Sequence, residues 1–149
     1  MTYLSILFSL SNPPEMGLAS RYGYPGDQYE NFKQPYACHG SLTKKWGKER
    51  YEEALKTGVA HRTLPCGTKV LICKTKKANL STHDKSVIWP CTSAIVVDRG
   101  PYGALNQQGI WHRRSKLQPG ERWRGIVDLL PPVAAKLGVW GLEKVVIWY

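Results

Sequence analysis

A small, mainly β domain is the fold class the sequence predicts, and three observations predict it. Turn residues are spread along the whole chain, 14 Gly and 10 Pro in 149 residues, which cuts it into short segments. The stretches Thr68–Lys74 and Thr92–Asp98 are rich in β-branched residues, the side chains that fit a pleated, half-buried surface. The composition, 42% hydrophobic and 21% charged, is that of one ordinary globular domain.

The apolar run Tyr3 to Leu10 is eight residues long and is followed by Asn12-Pro13-Pro14. A bilayer span needs about 20 apolar residues, so no membrane span is expected. The first basic residue is Arg21, so the charged start of a classical secretory signal is missing. Met1–Leu10 reads as a first strand or an arm packed on a neighbour. The domain plan is an N-terminal arm over 1–16 and a single domain over 17–149.

Leu18–Tyr24 reads as a strand that stops at Gly23 and Pro25-Gly26, and the polar stretch Asp27–Gln34 as surface loop. Lys48–Lys56 has good helix formers, a Glu52–Lys56 pair at i,i+4 and Gly58 placed to end it, which predicts a helix of two to three turns. Thr68–Lys74 and Thr92–Asp98 form a long-looped hairpin across polar Thr75–Ser86. Gly103–Arg124 holds Trp111, Trp123, Arg113, Arg114, Lys116, Arg122 and Arg124 without a sustained period and reads as an inserted loop. A strand over Gly125–Leu129 follows, then a helix from Pro131 or Pro132 through Leu137 with Gly138 at its end. The chain closes on the strand EKVVIWY.

Lys and Arg total 21 against 11 Asp and Glu, a net charge of +10, which attracts polyanions: nucleic acid, anionic lipid or acidic cell-wall polymer. No aromatic-and-basic motif of a known nucleic-acid module is present, so nucleic acid is not the expected partner. The four cysteines, Cys38, Cys66, Cys73 and Cys91, allow three pairings in an oxidising compartment, with buried free thiols as the alternative. Cys73–Cys91 would link neighbouring strands across the hairpin, and Cys38–Cys66 would tie the early loop to the body of the domain. Their spacing is a poor match to a zinc site, and neither a metal nor a cofactor is expected.

Three segments have residue types that packing alone explains poorly. In GVAHRTLPCGTKV, His61 precedes a turn that launches a strand. In VVDRGPYG, an apolar strand delivers Asp98 and Arg99 into a Gly-Pro turn. The third is RGIVDLLPPVAAKLG, with Asp128 in its strand. Taken singly, His61 has the ready explanation of a structural histidine and Asp98-Arg99 that of a turn salt bridge.

In this order the three segments resemble the double-psi β-barrel of the rare lipoprotein A family, which is related to expansins and barwin. LASRYGY resembles the family's opening Ala-Ser-x-Tyr-Gly strand, and GVAHRTLPCGTKV its Ala-His-x-x-Leu-Pro-x-Gly-Thr signature. VVDRGPYG resembles its Asp-Arg-Gly-Pro signature, and RGIVDLLPPVAAKLG its closing Arg-x-x-Asp-Leu strand and helix. The resemblance covers Gly17 to Tyr149. It implies a six-stranded double-psi β-barrel, here with two short helices and an inserted loop over about 103–124.

Some members of that family are lytic transglycosylases, which cleave peptidoglycan glycan strands to leave 1,6-anhydro ends, while expansin-like relatives loosen wall polymers. Cleavage of a glycosidic bond passes through an oxocarbenium-like state and needs a proton donor together with a base or negative charge. The resemblance implies Asp98 as acid/base, His61 as its helper, and a Glu best matched by Glu49, because KERYEEAL resembles the family's Gly-Glu-Arg-Tyr segment. Its spacing to His61 is one residue long, which leaves Glu52 and Glu53 as rivals. Asp128 is expected to line the groove, Arg99, Arg113, Arg114 and Lys116 to attract substrate carboxylates, and Tyr22, Tyr102 and Trp111 to stack on sugars.

Three departures favour the alternative of a noncatalytic wall-binding or structural barrel. Val97 precedes Asp98 where the family often has Asn, Cys66 follows Pro65 where an aromatic is common, and Asp-Leu-Leu-Pro-Pro replaces Asp-Leu-Ser. No lipid-attachment cysteine lies near the start. The expected location is the cell envelope, periplasm or extracellular space, or a phage tail or baseplate, with peptidoglycan and virion or envelope proteins as partners.

Overall fold

The computed structural model describes residues 13–27, 35–75 and 88–149. Met1–Leu10, nearly all of Asp27–Gln34 and nearly all of Thr75–Ser86 lie outside the described residues, and with them most of the expected arm.

Six strands close into a barrel of mixed parallel and antiparallel pairs. They are β1 (Glu15–Arg21), β2 (Gly58–Ala60), β3 (Lys69–Thr75), β4 (Ile88–Asp98), β8 (Val127–Leu129) and β9 (Glu143–Trp148), in the spatial order β1-β8-β2-β4-β3-β9. The expected hairpin is the antiparallel pair of β3 and β4, with Cys73 opposite Cys91. β1 runs parallel to β8, and β2 runs parallel to β4.

The barrel interior is filled by aliphatic side chains, most of them β-branched: Ala19, Val59, Val70, Ile72, Val96, Val127, Leu129, Val145 and Ile147. Helix α3 (Pro131–Leu137) adds Val133, Ala134 and Leu137 to this core. It starts with two prolines, whose fixed φ suits a first turn, and ends on Gly138 in the left-handed conformation at φ 68°. A second core lies outside the barrel, where Val97, Ala60 and Leu130 meet Tyr22, Tyr36, Cys38, Leu42, Tyr51, Ala54 and Leu55.

Two helices supply that second core. The one over Lys48–Leu55 (α2) is the helix the sequence predicts. The other, α1 over His39–Trp46, brings the total to three where two were expected. Gly40, Ser41 and Thr43 are poor helix formers, and Leu42 is its one buried residue, so no apolar period marks it. The expected Glu52–Lys56 pair is also replaced: Lys56 meets Glu53 at 2.8 Å, and Glu52 faces Lys48 at 3.9 Å.

The segment over 103–124 is a three-stranded antiparallel sheet rather than a loop. Its strands are β5 (Gly103–Leu105), β6 (Trp111–Arg113) and β7 (Arg122–Trp123), in the order β6-β5-β7. Strands of two or three residues are too short to show alternation. Arg114 and Glu121 brace the sheet, the guanidinium Nε donating to both carboxylate oxygens at 3.1 Å.

Both disulfides form in the pairing the sequence suggests. Cys73–Cys91 joins neighbouring strands, and Cys38–Cys66 joins the start of α1 to the turn before β3.

Gly58 packs tightly against the second core. A Cβ there would lie 2.7 Å from both Leu130 Cδ1 and Val97 Cγ2. Gly58→Ala is therefore expected to destabilise the fold by about 1–3 kcal/mol through overpacking. In urea this reads as a lower midpoint with an unchanged slope.

Candidate functional site

The residues singled out by the sequence converge through strand register. Ala60 of β2 lies opposite Asp98 on one side and Asp128 on the other, and Asp128 lies opposite Ser20 of β1. Ser20, Asp128, Ala60 and Asp98 thus form one row across four neighbouring strands. A bulge makes this possible. Val59 pairs with Val96 but Ala60 pairs with Asp98, so Val97 is the extra residue. Since strand side chains alternate faces, the added residue turns Asp98 onto the face that carries Asp128.

Ser20, Asp98 and Asp128 of this row line a groove of about 300 Å³, together with Arg21, Tyr22, Trp111 and Arg124 among others. That volume is at the small end of the range for ligand pockets. The groove lies between the barrel wall and the inserted sheet, which supplies Gly103, Trp111 and Arg113 to its lining.

Asp98 is 7% exposed and accepts two hydrogen bonds, from the Ala37 amide at 2.7 Å and the Tyr22 hydroxyl at 3.1 Å. Tyr22 is therefore a buried donor to Asp98, in place of the exposed sugar platform expected for it. Burial, reinforced by the Asp98 charge, pushes the Tyr22 phenol far above its ordinary value, so the ring keeps its proton and its donor role.

Asp128 accepts from the Ser20 hydroxyl. Burial raises its pKa, which the Ser20 bond and the Arg124 charge oppose and the nearby Asp98 charge assists. Two carboxyl groups on one row thus have different surroundings.

The raised value fixes the sign of a pH effect. A carboxyl raised on folding contributes stability that is fully present below its unfolded value, about 3.9, and is lost as pH rises through the folded value. Asp128→Asn removes that dependence. Urea unfolding at about pH 4 and about pH 7 should show the variant gaining on the wild type toward neutral pH.

His61 is held away from the groove. Its ring is 5% exposed, and Nδ1 accepts from the amides of Thr63 at 3.2 Å and Leu64 at 3.1 Å. The proton therefore sits on Nε2, which donates to Glu15 Oε2 at 2.9 Å. The His61 backbone amide donates to the Asp98 carbonyl at 3.1 Å. The imidazole shapes the turn after β2, and both its nitrogens are engaged by groups other than the Asp98 carboxylate.

Glu49 stands exposed in the first turn of α2 and does not line the groove. Its rivals are placed no better, since Glu53 pairs with Lys56 and Glu52 borders a separate pocket with Tyr36, His39 and Tyr51.

Arg99 lines the groove, yet its guanidinium donates inward to the carbonyls of His61 and Leu64 and to Cys66 Sγ. It locks the turn over 61–66 instead of offering its charge to a ligand. Arg113 reaches the groove, whereas Arg114 is bound to Glu121, and neither it nor Lys116 is in the lining. Tyr102 packs edge-on against Trp123, and Trp111 is 49% exposed at the groove.

The sequence reading passed over Ser20, Arg21 and Glu15. Ser20 lay inside the matched Ala-Ser-x-Tyr-Gly stretch, and only the register with Asp128 shows what it does. Arg62 was also missed. It donates to the carbonyls of Pro101 at 2.8 Å and Gly125 at 2.6 Å and packs over Trp123, pinning the inserted sheet to the barrel.

Among the described residues no cluster of three His, Cys, Asp or Glu side chains is arranged to hold a metal, and no helix is long and apolar enough to cross a membrane. No family profile matches the chain, and no curated protein matches it.

Proposed function

We propose that the protein is a double-psi β-barrel of the rare lipoprotein A kind that cleaves peptidoglycan glycan strands as a lytic transglycosylase. One observation carries the reading: Asp98 and Asp128, from two of the matched motifs, share one row and line one groove. The mixed strand order with two parallel pairs supports the barrel type, and the two disulfides suit an oxidising, wall-facing location.

The division of labour follows the family resemblance, which makes Asp98 the acid/base. Asp98 receives two fixed donors and is set to act on the glycosidic oxygen and then on the sugar's own 6-hydroxyl, one group serving as acid and base in turn. Asp128, beside Arg124, adds a second carboxyl group to the groove lining. Arg21, Arg113 and Arg124 supply positive charge around the groove for the carboxylates of the peptide stems.

The position of His61 and Glu49 favours a second reading, a barrel that binds wall glycan without turnover. Of the three residues that the family resemblance makes catalytic, only Asp98 reaches the groove. Incubation with purified sacculi separates the two. The catalytic reading expects soluble muropeptides to be released, and the binding reading expects the protein to pellet with intact sacculi and release none.

A further inference from the structure

We infer that Trp140, with Arg21 and Tyr24 beside it, is a glycan subsite that extends the groove, taking a sugar ring on the indole and a carboxylate on Arg21. The inference rests on the glycan reading above and names a contact that the sequence motifs do not include.

Trp140 is 66% exposed, more than any other large hydrophobic residue among those described. Single exposed apolar residues are common and need no ligand. Trp140 differs in its support and its connection. It sits between α3 and β9, and the backbone just before it is anchored: Val139 is fully buried, its amide donates to the Ala134 carbonyl at 2.9 Å, and Lys74 Nζ donates to the Gly138 carbonyl at 2.9 Å. A large flat ring is thus presented to solvent next to an anchored stretch of backbone, which lowers the cost of ordering it when a ligand binds.

The connection runs through Arg21. Its guanidinium carbon lies 5.6 Å from the centre of the Trp140 ring and 4.1 Å from that of Tyr24, and Arg21 itself lines the groove that holds Asp98 and Asp128. Tyr24 is fixed in turn, because its carbonyl accepts from the Asp27 amide at 2.9 Å while the Asp27 carboxylate accepts from the Gly23 amide at 2.9 Å. Aromatic faces attract the cation but take none of its in-plane N–H donors, which are left for a carboxylate or a hydroxyl.

The same pairing recurs in the inserted sheet, where the Arg124 guanidinium carbon lies 5.9 Å from the Trp111 ring and both residues line the groove. Each pair joins a flat apolar face to a fork of donors. A pyranose with an apolar C–H face and a carboxylate-bearing substituent offers the matching groups. A glycan strand with acidic stems repeats them, so two such pairs beside one groove fit two sugars of one strand.

The test is a titration of wild type, Trp140→Ala, Trp140→Tyr and Arg21→Gln with two probes, the neutral tetramer of N-acetylglucosamine and a carboxylate-bearing disaccharide-peptide from peptidoglycan, read by calorimetry. Trp140→Ala should weaken both probes about tenfold, the loss typical of truncating an aromatic anchor. Trp140→Tyr should restore most of the affinity, and Arg21→Gln should weaken the acidic probe more than the neutral one. The exposure of Trp140 argues against misfolding as a confounder, and unchanged thermal unfolding of the variants checks it. Wild-type binding that Trp140→Ala leaves intact overturns the subsite and spares the groove reading; no binding of either probe by wild type overturns both.

Discussion

Asp98→Asn is expected to reduce the release of soluble muropeptides from sacculi by about 10²–10⁴-fold, the usual contribution of a positioned acid/base group. The substitution is nearly isosteric. The carboxamide oxygen that it introduces still accepts from the Ala37 amide, and the Tyr22 hydroxyl turns to accept where it donated before. The fold and the pelleting with sacculi should therefore persist while turnover is lost. Asp98→Ala is the poorer probe, because it strands the Tyr22 hydroxyl in a buried place. A digest in which Asp98→Asn and wild type release product at equal rates would remove Asp98 from the reaction.

Loss of the Cys38–Cys66 disulfide is expected to have the largest effect on stability. The bond closes a loop of 28 residues, for which chain entropy gives a stabilisation of about 3–4 kcal/mol. For a chain of this length that corresponds to a fall of about 10 °C in Tm. The effect should reach the site as well. The Cys38 amide donates to the Val97 carbonyl at 3.2 Å, and the preceding residue, Ala37, supplies the amide held on Asp98. Cys66 Sγ in turn accepts from Arg99. The double variant Cys38→Ser/Cys66→Ser should therefore lose both Tm and activity at a temperature where it is still folded. The Cys73–Cys91 bond lies within an existing strand pair and closes 18 residues, so Cys73→Ser/Cys91→Ser should lower Tm with less effect on activity.

How much of this was legible in the sequence depends on the length over which each signal extends. The β3–β4 hairpin, α2, α3 and β9 carry seven or so consecutive residues of consistent type, and the expected elements lie within a few residues of the observed ones. The inserted sheet and α1 do not. Strands of three residues have no readable alternation, and α1 buries one side chain, so tertiary contacts rather than local pattern decide both.

The site divides in the same way. Asp98 and Asp128 were legible because each ends or interrupts an apolar strand where packing gives it no reason to be. That they share a row depends on the bulge at Val97, a register event with no sequence signature. His61 was legible as a special residue, but its orientation was not. Whether a ring at the end of a short strand faces a groove or folds back on its own turn is set by the amides of Thr63 and Leu64 and by distant Glu15. The same holds for Arg99, whose charge is spent on carbonyls of that turn.

The measurement that bears most directly on the central claim is digestion of sacculi in ¹⁸O-labelled water by wild type and by Asp98→Asn, with the soluble fragments read by mass spectrometry. Attack by the sugar's own 6-hydroxyl leaves anhydro ends and takes no oxygen from solvent. The account predicts unlabelled anhydro-muropeptides from wild type and almost none from Asp98→Asn. Fragments with ¹⁸O at a new reducing end would mean a hydrolase, and no soluble fragments from wild type that pellets with sacculi would mean a binding barrel; either result contradicts it.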